Sequence, residues 1–355
     1  MKILSIETSC DETALSLIDA NGGLKKPHFK ILKNLVASQI KIHQPFGGVV
    51  PNLAKREHIK NLPILLEKIK ASIKSTDLIA VTAGPGLEPC LWAGIEFAKD
   101  LAKKLKKPLT GVNHLEGHLY SVLLAKKNKI PLDMFPAIAL IVSGGHTILL
   151  LMKDLTHYKK LGETRDDAAG EAFDKVARLL NLPYPGGPQL EKVAALGNAD
   201  AIPFPRPMLN QKNYDFSFSG LKTAVLYYLR ENKKFSAANT AASFQQAVID
   251  VLTTKTFRAA DCFKAKSVLL SGGVANNKVL RQTFKKQAQK KKINFLAPSL
   301  EFTTDNATMT AVAAYFGQLK KPCLSGRQAC LPPACRSDRA GRKQHRLIAQ
   351  AHLNL

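Results

Sequence analysis

The sequence predicts an α/β protein with an internal duplication, and three features of the chain lead there. Two segments share a strand, polar turn, strand plan, a third apolar run enters a helix through a glycine turn, and helical periodicity fills the intervals. In the first segment Ile3 to Ile6 reads as a buried strand, Glu7-Thr8-Ser9-Cys10-Asp11-Glu12-Thr13 as the turn, and Ala14 to Ile18 as the return strand. The second runs Ala137 to Val142, then Ser143-Gly144-Gly145-His146-Thr147, then Ile148 to Met152. In the third, Ser267 to Leu270 leads into Ser271-Gly272-Gly273-Val274-Ala275-Asn276-Asn277 and a helix from Lys278. Backbone N–H groups gather at such a glycine turn and helix start, which suits a phosphate.

Helical spacing is expected over Ala54 to Ala71, Leu91 to Leu105, Gly170 to Leu180, Leu221 to Glu231, Ala241 to Phe263 and Thr308 to Leu319. Prolines and glycines at Pro183, Pro185, Gly186, Gly187 and Pro188, and the run Pro203-Phe204-Pro205-Arg206-Pro207, mark loops that could line a cleft. Cys323 to Leu355 carries three of the six cysteines and no sustained period.

The 355 residues fit roughly two domains. Composition is ordinary for a globular chain, at 45% hydrophobic and 22% charged. The longest apolar stretch, Ile138 to Met152, is interrupted by Ser143 to Thr147, so no run of about 20 apolar residues spans a bilayer. Acidic residues at Glu7, Asp11 and Glu12 exclude a secretory leader, and a cytoplasmic location is expected. Lys plus Arg number 52 against 27 Asp plus Glu, a formal charge of +25 that attracts polyanions, nucleic acid foremost. Single lysine runs such as Lys103 to Lys107 or Lys285 to Lys292 also read as solvated helix faces. The cysteine spacing forms no secreted disulfide framework, so reduced thiols are expected.

In Asn113-His114-Leu115-Glu116-Gly117-His118 two imidazoles stand four residues apart, one face of a helix, where they can share a metal. Two histidines that only face solvent or hydrogen-bond fit the spacing equally. Glu116 is not placed as the base of a His-Glu-x-x-His zinc protease, which counts against peptide hydrolysis. Asp305, just ahead of a helix, is an available third ligand, although a helix N-cap is its simpler role. Two histidines and an aspartate with open positions suit iron(II) or zinc.

Asp11 and Glu12 face the region expected to hold phosphates, where a carboxylate could take a proton; turn chemistry alone also explains them. The Ser143 to Thr147 turn permits close backbone approach to an anion, or is glycine-rich for steric reasons only. Five acids, Glu163, Asp166, Asp167, Glu171 and Asp174, surround a helix start, where capping accounts for most of them. Asp174, one turn in, could read ribose hydroxyls.

These blocks, with Phe46-Gly47-Gly48-Val49-Val50-Pro51, Tyr184 to Pro188, Asp215 to Thr223 and Thr304-Asp305-Asn306, resemble the TsaD family of tRNA N6-adenosine threonylcarbamoyltransferases, co-linearly from Met1 to about Lys321. The family was formerly described as O-sialoglycoprotein endopeptidase. The resemblance implies an actin, Hsp70 and sugar-kinase-like fold, two duplicated lobes with a nucleotide and metal cleft between them. It implies a first lobe over 1–112 with a return helix at 306–322, a second lobe over 113–305, and an atypical tail over 323–355. By resemblance the enzyme is an acyltransferase that moves the threonylcarbamoyl group of L-threonylcarbamoyl-AMP to the N6 amine of the adenosine beside the anticodon, in tRNAs reading codons that begin with A. Metal ligands fall on His114, His118 and Asp305, with iron(II) preferred to zinc, and nucleotide contacts on Ile141, Val142, Ser143, Gly144, Gly145, Asp174, Gly187 and Asn277. Asp11 or Glu12 would assist the amine in losing its proton. Implied partners are tRNA, a paralogous non-catalytic TsaB-like protein and a small TsaE-like ATPase.

The chain departs from the family at Thr303, where many members have cysteine, and in the tail, which does not resemble the usual ending that packs back on the first lobe. A shifted reading frame would produce such a stretch. Rival readings are an ATP-hydrolysing member of the same fold superfamily, in which the histidine pair has no purpose, and a non-catalytic module that binds tRNA or partners.

Overall fold

A computed structural model describes residues 1–125, 133–320, 347–351, 353 and 355. Two five-stranded sheets of identical topology form its frame. In the first, β1 (Lys2–Glu7), β2 (Glu12–Asn21) and β3 (His28–Ser38) form an antiparallel meander, and β4 (Leu78–Gly84) and β5 (Leu109–Asn113) add in parallel beside β1, giving the order β3-β2-β1-β4-β5. In the second, β6 (Ala137–Val142), β7 (Thr147–Met152) and β8 (Tyr158–Glu163) repeat the meander, and β9 (Ser267–Ser271) and β10 (Asn294–Leu296) repeat the parallel additions, giving β10-β9-β6-β7-β8. The duplication read from two segments therefore extends over both whole sheets, and the two-lobed α/β architecture is as expected.

The central strands are buried on both faces, which is why they read as continuous apolar runs: β4 and β6 are buried at every position. By contrast β3 alternates lysines with apolar residues along an exposed edge, so its sequence carries little strand signal. The helices are α1 (Ile40–His43), α2 (Pro51–Glu67), α3 (Glu88–Leu105), α4 (His114–Ser121), α5 (Ala169–Leu179), α6 (Gly186–Ala194), α7 (Ser219–Glu231), α8 (Ala237–Cys262), α9 (Lys278–Lys290) and α10 (Ala307–Lys320). One core joins α2 and α3 to the first sheet through Leu62, Leu65, Leu91, Ile95 and Leu101 against Leu4, Ile6 and Val81. A second joins α5, α7 and α8 to the other sheet through Phe173, Leu221, Phe244 and Val248 against Leu140 and Val142. A third lies between the sheets, where Val312 and Phe316 of α10 meet Leu115 and Tyr120 of α4. That middle layer brings α4 and the segment entering α10 together.

The tail expectation needs correction at its far end. Leu347 and Ala349 pack on the first-lobe core, and Gln350 N–H donates to Ala83 O at 2.7 Å while Gly86 N–H donates to Ala351 O at 3.3 Å. A short extended stretch with two apolar side chains suffices to dock on a strand end, so a lack of helical or strand period did not exclude packing. Cys323, Cys330 and Cys335 lie outside the described residues; Cys10, Cys90 and Cys262 are free thiols.

Candidate functional site: a metal centre at the head of an interlobe cleft

Asn113 ends β5 and caps α4, its side-chain oxygen accepting from Leu115 N–H at 2.8 Å and Glu116 N–H at 3.4 Å. The cap sets the first turn so that His114 and His118 stand on one face, with ring centroids 4.7 Å apart and planes at 80°. Asp305 is free to meet them because the cap of α10 is its neighbour: Asn306 Oδ1 accepts from Met309 N–H at 3.0 Å. The N-cap reading of Asp305 is thus replaced by Asn306. Asp305 Oδ1 lies 3.5 Å from His114 Nε2 and 3.2 Å from His118 Nε2, and one ligand atom from each of the three residues lies within 4.8 Å of the others.

The surroundings fit a metal ion. Both ring nitrogens of His118 are buried; Nε2 faces only Asp305 Oδ1, and Nδ1 has no hydrogen-bond partner among the described residues, a set of buried nitrogens suited to an ion. His114 Nδ1 faces Ser9 Oγ at 3.2 Å and Glu7 Oε2 at 3.4 Å, which directs Nε2 toward Asp305. Glu7 is fully buried at the end of β1, and its carboxylate accepts from Ser9 N–H at 2.7 Å, from the Thr82 hydroxyl and from the Thr310 hydroxyl at 3.0 Å. Burial opposes charge on His114, but the Asp305 and Glu7 carboxylates outweigh it and hold its pKa up at about 9 when no ion is bound. Burial likewise opposes Asp305, and the two imidazoles overcome it, holding that carboxyl well below its usual range.

A cleft of about 490 Å³ opens in front of this centre, with Asp11 and Glu12 on the first-lobe side and Ser143, Gly144, Gly145 and His146 on the other. Burial pushes Glu12 well above the usual carboxylate range, with Asp11 and Asp305 adding to the effect. In the glycine turn Ser143 N–H donates to His146 O at 2.8 Å and Ser143 Oγ accepts from His146 N–H at 3.1 Å. A side chain added at Gly144 or Gly145 would meet no atom within 4 Å, so their glycines leave open space toward the cleft. Gly170, at the start of α5, is different: a Cβ there would fall 2.5 Å from Ser143 O, and this approach seats the helix end against the turn. Burial drives His146 down to about 4, with His114 and His118 adding to the effect, so its ring is neutral.

The other expected residues divide. Asp174 and Gly187 line the cleft, and Asp174 Oδ1 accepts from Gly186 N–H at 2.8 Å and Gly187 N–H at 3.1 Å, tying α5 to the start of α6. Asn277 also lines it, but its side chain is spent on structure, Oδ1 accepting from Leu280 N–H at 2.9 Å and Nδ2 donating to Gln245 Oε1 at 2.7 Å, and so is its backbone, whose N–H donates to Val274 O at 3.0 Å and whose carbonyl accepts from Arg281 N–H at 3.1 Å. Ile141 and Val142 do not line the cleft. Their side chains are fully buried in two different cores, because a central strand with both faces covered sends alternate residues inward on each side. The acids before α5 also sit otherwise than expected. Asp166 anchors the entry to α7, accepting from Phe218 N–H at 2.8 Å and Ser219 N–H at 3.2 Å, and Asp167 pairs with Lys175 at 2.7 Å and Lys222 at 2.8 Å. Sequence reasoning missed Glu7 and Tyr184, whose hydroxyl crosses the cleft to Asp11 Oδ2 at 3.3 Å. A glutamate closing an apolar strand was the available signal for the first.

Two matching sheets, facing hairpin turns and a His-His-Asp cluster define a two-lobed α/β protein of the actin, Hsp70 and sugar-kinase architecture with a candidate metal centre in its cleft. Solved structures agree on the fold: HypF from T. kodakarensis superposes with a TM-score of 0.59 at 17% identity, covering 90% of this chain and 48% of that one. An activator of 2-hydroxyisocaproyl-CoA dehydratase from Clostridium difficile superposes with a TM-score of 0.51 at 14% identity, covering 92% of this chain and all of that one, 100%. The family profile described as "TsaD: tRNA N6-adenosine threonylcarbamoyltransferase" matches residues 30–312, and the chain belongs to that family. Curated relatives named tRNA N6-adenosine threonylcarbamoyltransferase include those of Thermosipho melanesiensis, 50% identical over 89% of this chain and 94% of the relative, and Moorella thermoacetica, 48% identical over 90% and 92%. The family acts on tRNA and implies a metal cofactor, which the three converging side chains are suited to hold. No helix among the described residues is long and apolar enough to cross a membrane.

Proposed function

We propose that this protein transfers the threonylcarbamoyl group of L-threonylcarbamoyl-AMP to N6 of the adenosine next to the anticodon, in tRNAs that read codons beginning with A. The observation that supports it best is the convergence of His114, His118 and Asp305 at one end of a cleft flanked by an acidic turn and a glycine turn, in a chain of this family. His114, His118 and Asp305 would hold one divalent ion, iron(II) in preference to zinc, and when bound that ion supplies Lewis-acid polarisation and positive charge beside the reacting group.

Backbone N–H groups of Gly144 and Gly145, beside Ser143, face the phosphate of the AMP moiety, Asp174 receives ribose hydroxyls, and Gly187 and Asn277 flank the nucleotide. The N6 lone pair attacks the carbamoyl carbon, the bond from that carbon to the phosphate oxygen breaks, and AMP departs with the bonding pair. Asp11 or Glu12 accepts the proton that N6 loses. A carboxyl raised by burial, as Glu12 is, suits such a task better than an ordinary one. The excess positive charge attracts tRNA phosphates. A TsaB-like paralogue and a TsaE-like ATPase complete the working assembly, and the cytoplasm is its location.

The test is to incubate purified protein with both partner proteins, L-threonylcarbamoyl-AMP and unmodified tRNA, digest the tRNA to nucleosides and weigh the products. Adenosine heavier by one threonylcarbamoyl group is expected. Only unshifted adenosine, with all components present, overturns the proposal.

A further inference from the structure

A directed chain of buried polar groups in the first lobe takes no part in the chemistry above. Thr13, Gln39, His43 and His58 are all fully buried. Val50 N–H donates to His43 Nδ1 at 3.3 Å, which leaves the His43 proton on Nε2, and Nε2 donates to Gln39 Oε1 at 3.0 Å. The other end of that amide, Nε2, donates to Ala54 O and to the Thr13 hydroxyl oxygen, each at 3.4 Å, and that hydroxyl lies 2.8 Å from His58 Nδ1. His58 Nε2 meets the Cys10 carbonyl at 2.9 Å. A carbonyl can only accept, so the His58 proton sits on Nε2 and Nδ1 accepts. Every donor therefore points from Val50 toward Cys10. Burial keeps the His58 pKa below its ordinary value, against the pull of the Cys10 carbonyl, in keeping with a neutral ring.

Each end of this chain touches something that matters. At one end Gln39 N–H donates to Asp11 O at 3.0 Å, so the carbonyls of both Cys10 and Asp11 are gripped, and with them the turn that carries Asp11 and Glu12. At the other, the loop just before Val50 carries Gly47, whose carbonyl accepts from Arg178 Nη2 of α5, across from the second lobe. A set of polar groups that only had to be satisfied in a core would not need to join an interlobe contact to a catalytic turn.

We propose that His43 and His58 are positioning residues: they transmit the seating of Arg178 on Gly47 to the Cys10-Asp11-Glu12 turn, so that approach of the lobes sets where the two carboxylates stand. The consequence for turnover rests on the proposed transfer reaction; the mechanical linkage does not.

The test uses the full-length protein in two ways. First, amide hydrogen exchange is followed without substrate in wild type and Arg178→Ala, each with and without His43→Leu. Arg178→Ala is expected to speed exchange at Gln39 and the residue 10–13 amides about tenfold, and to have no further effect once His43→Leu has cut the path. An equal Arg178→Ala effect in both backgrounds, or none in wild type, overturns the proposal. His43→Gln, which keeps a polar side chain, replaces His43→Leu should that variant not fold. Second, His58→Leu is expected to lower kcat about tenfold with KM for L-threonylcarbamoyl-AMP and metal content unchanged, and His58→Gln, which retains a donor, to recover part of it. A raised KM with unchanged kcat, or no recovery by His58→Gln, overturns the positioning role. An inactive wild type would remove the transfer reading alone, because the exchange experiment still decides the linkage.

Discussion

Glu7 Oε2 stands 3.4 Å from His114 Nδ1, and neither side chain is open to solvent beyond a few per cent. The carboxylate therefore fixes which imidazole nitrogen is presented to Asp305 and His118. Three further donors, Ser9 N–H and the hydroxyls of Thr82 and Thr310, fix the carboxylate in turn. They come from the turn after β1, from β4 and from α10, so the candidate metal centre is braced from three directions at once.

Removing this brace should weaken metal binding while leaving all three ligands in place. Glu7→Gln is expected to lower affinity for the divalent ion about 10- to 100-fold. Competition against a chelator of known strength, performed without oxygen for iron(II), measures it. An unchanged affinity would show that His114 needs no such orientation.

Loss of a ligand should be more severe than loss of its support. Asp305→Ala removes the carboxylate that both imidazoles face, and substoichiometric metal after dialysis is expected, read by elemental analysis, with secondary structure retained. Stoichiometric metal in that variant would place the ion elsewhere.

Two glycines should respond oppositely to alanine. At Gly272, φ is +90° and a Cβ would lie 2.3 Å from Val142 O, so Gly272→Ala should cost about 2–4 kcal/mol of stability by chemical unfolding. At Gly144 nothing obstructs a Cβ, and Gly144→Ala should leave stability within about 0.5 kcal/mol of wild type. Calorimetry should nevertheless show weaker AMP binding by Gly144→Ala, since the methyl occupies space assigned to phosphate. Equal AMP affinity would remove the phosphate role of that turn.

Lys255 gives a pH dependence of folding separate from the metal centre. Its buried Nζ donates to Asp215 O at 2.6 Å and Asn213 O at 3.3 Å. Burial, then repulsion from Arg258, lowers its pKa to about 8, with Asp215 opposing. The unfolded chain keeps its proton up to the ordinary value, so between these two pKa values it binds more protons than the folded protein. Stability should therefore rise with pH across that window, and the destabilisation is fully present below it. Urea unfolding of wild type relative to Lys255→Met, at about pH 7.5 and about pH 9.5, should show the difference shifting in favour of wild type at the higher pH. A pH-independent difference would mean Lys255 titrates normally.

Local sequence carried the hairpins and most helices because burial on both faces leaves unmixed apolar runs, as in Ala137 to Val142. It could not carry β3, whose lysines face solvent, nor the short segment at 347–351, whose contacts depend on strand ends that another part of the chain supplies. At the site, spacing put His114 and His118 on one helix face but left open whether they share an ion, and Asp305 needed the family resemblance to separate it from Asn306, the residue that caps the helix. The side chains of Ile141 and Val142 lie in the cores because they belong to the strand, and only the turn that follows them lines the cleft. Glu7 was missed because its role is created by long-range packing, not by any neighbour in sequence.

The repeated strand order of the two sheets has one outcome for direction. Two identical halves set face to face would offer the same turn from either side, and a ligand could lodge either way round. Here one hairpin carries Asp11 and Glu12 while the other presents Gly144 and Gly145 between Ser143 and His146, so the crevice has a fixed polarity, with one anionic wall and one without carboxylates.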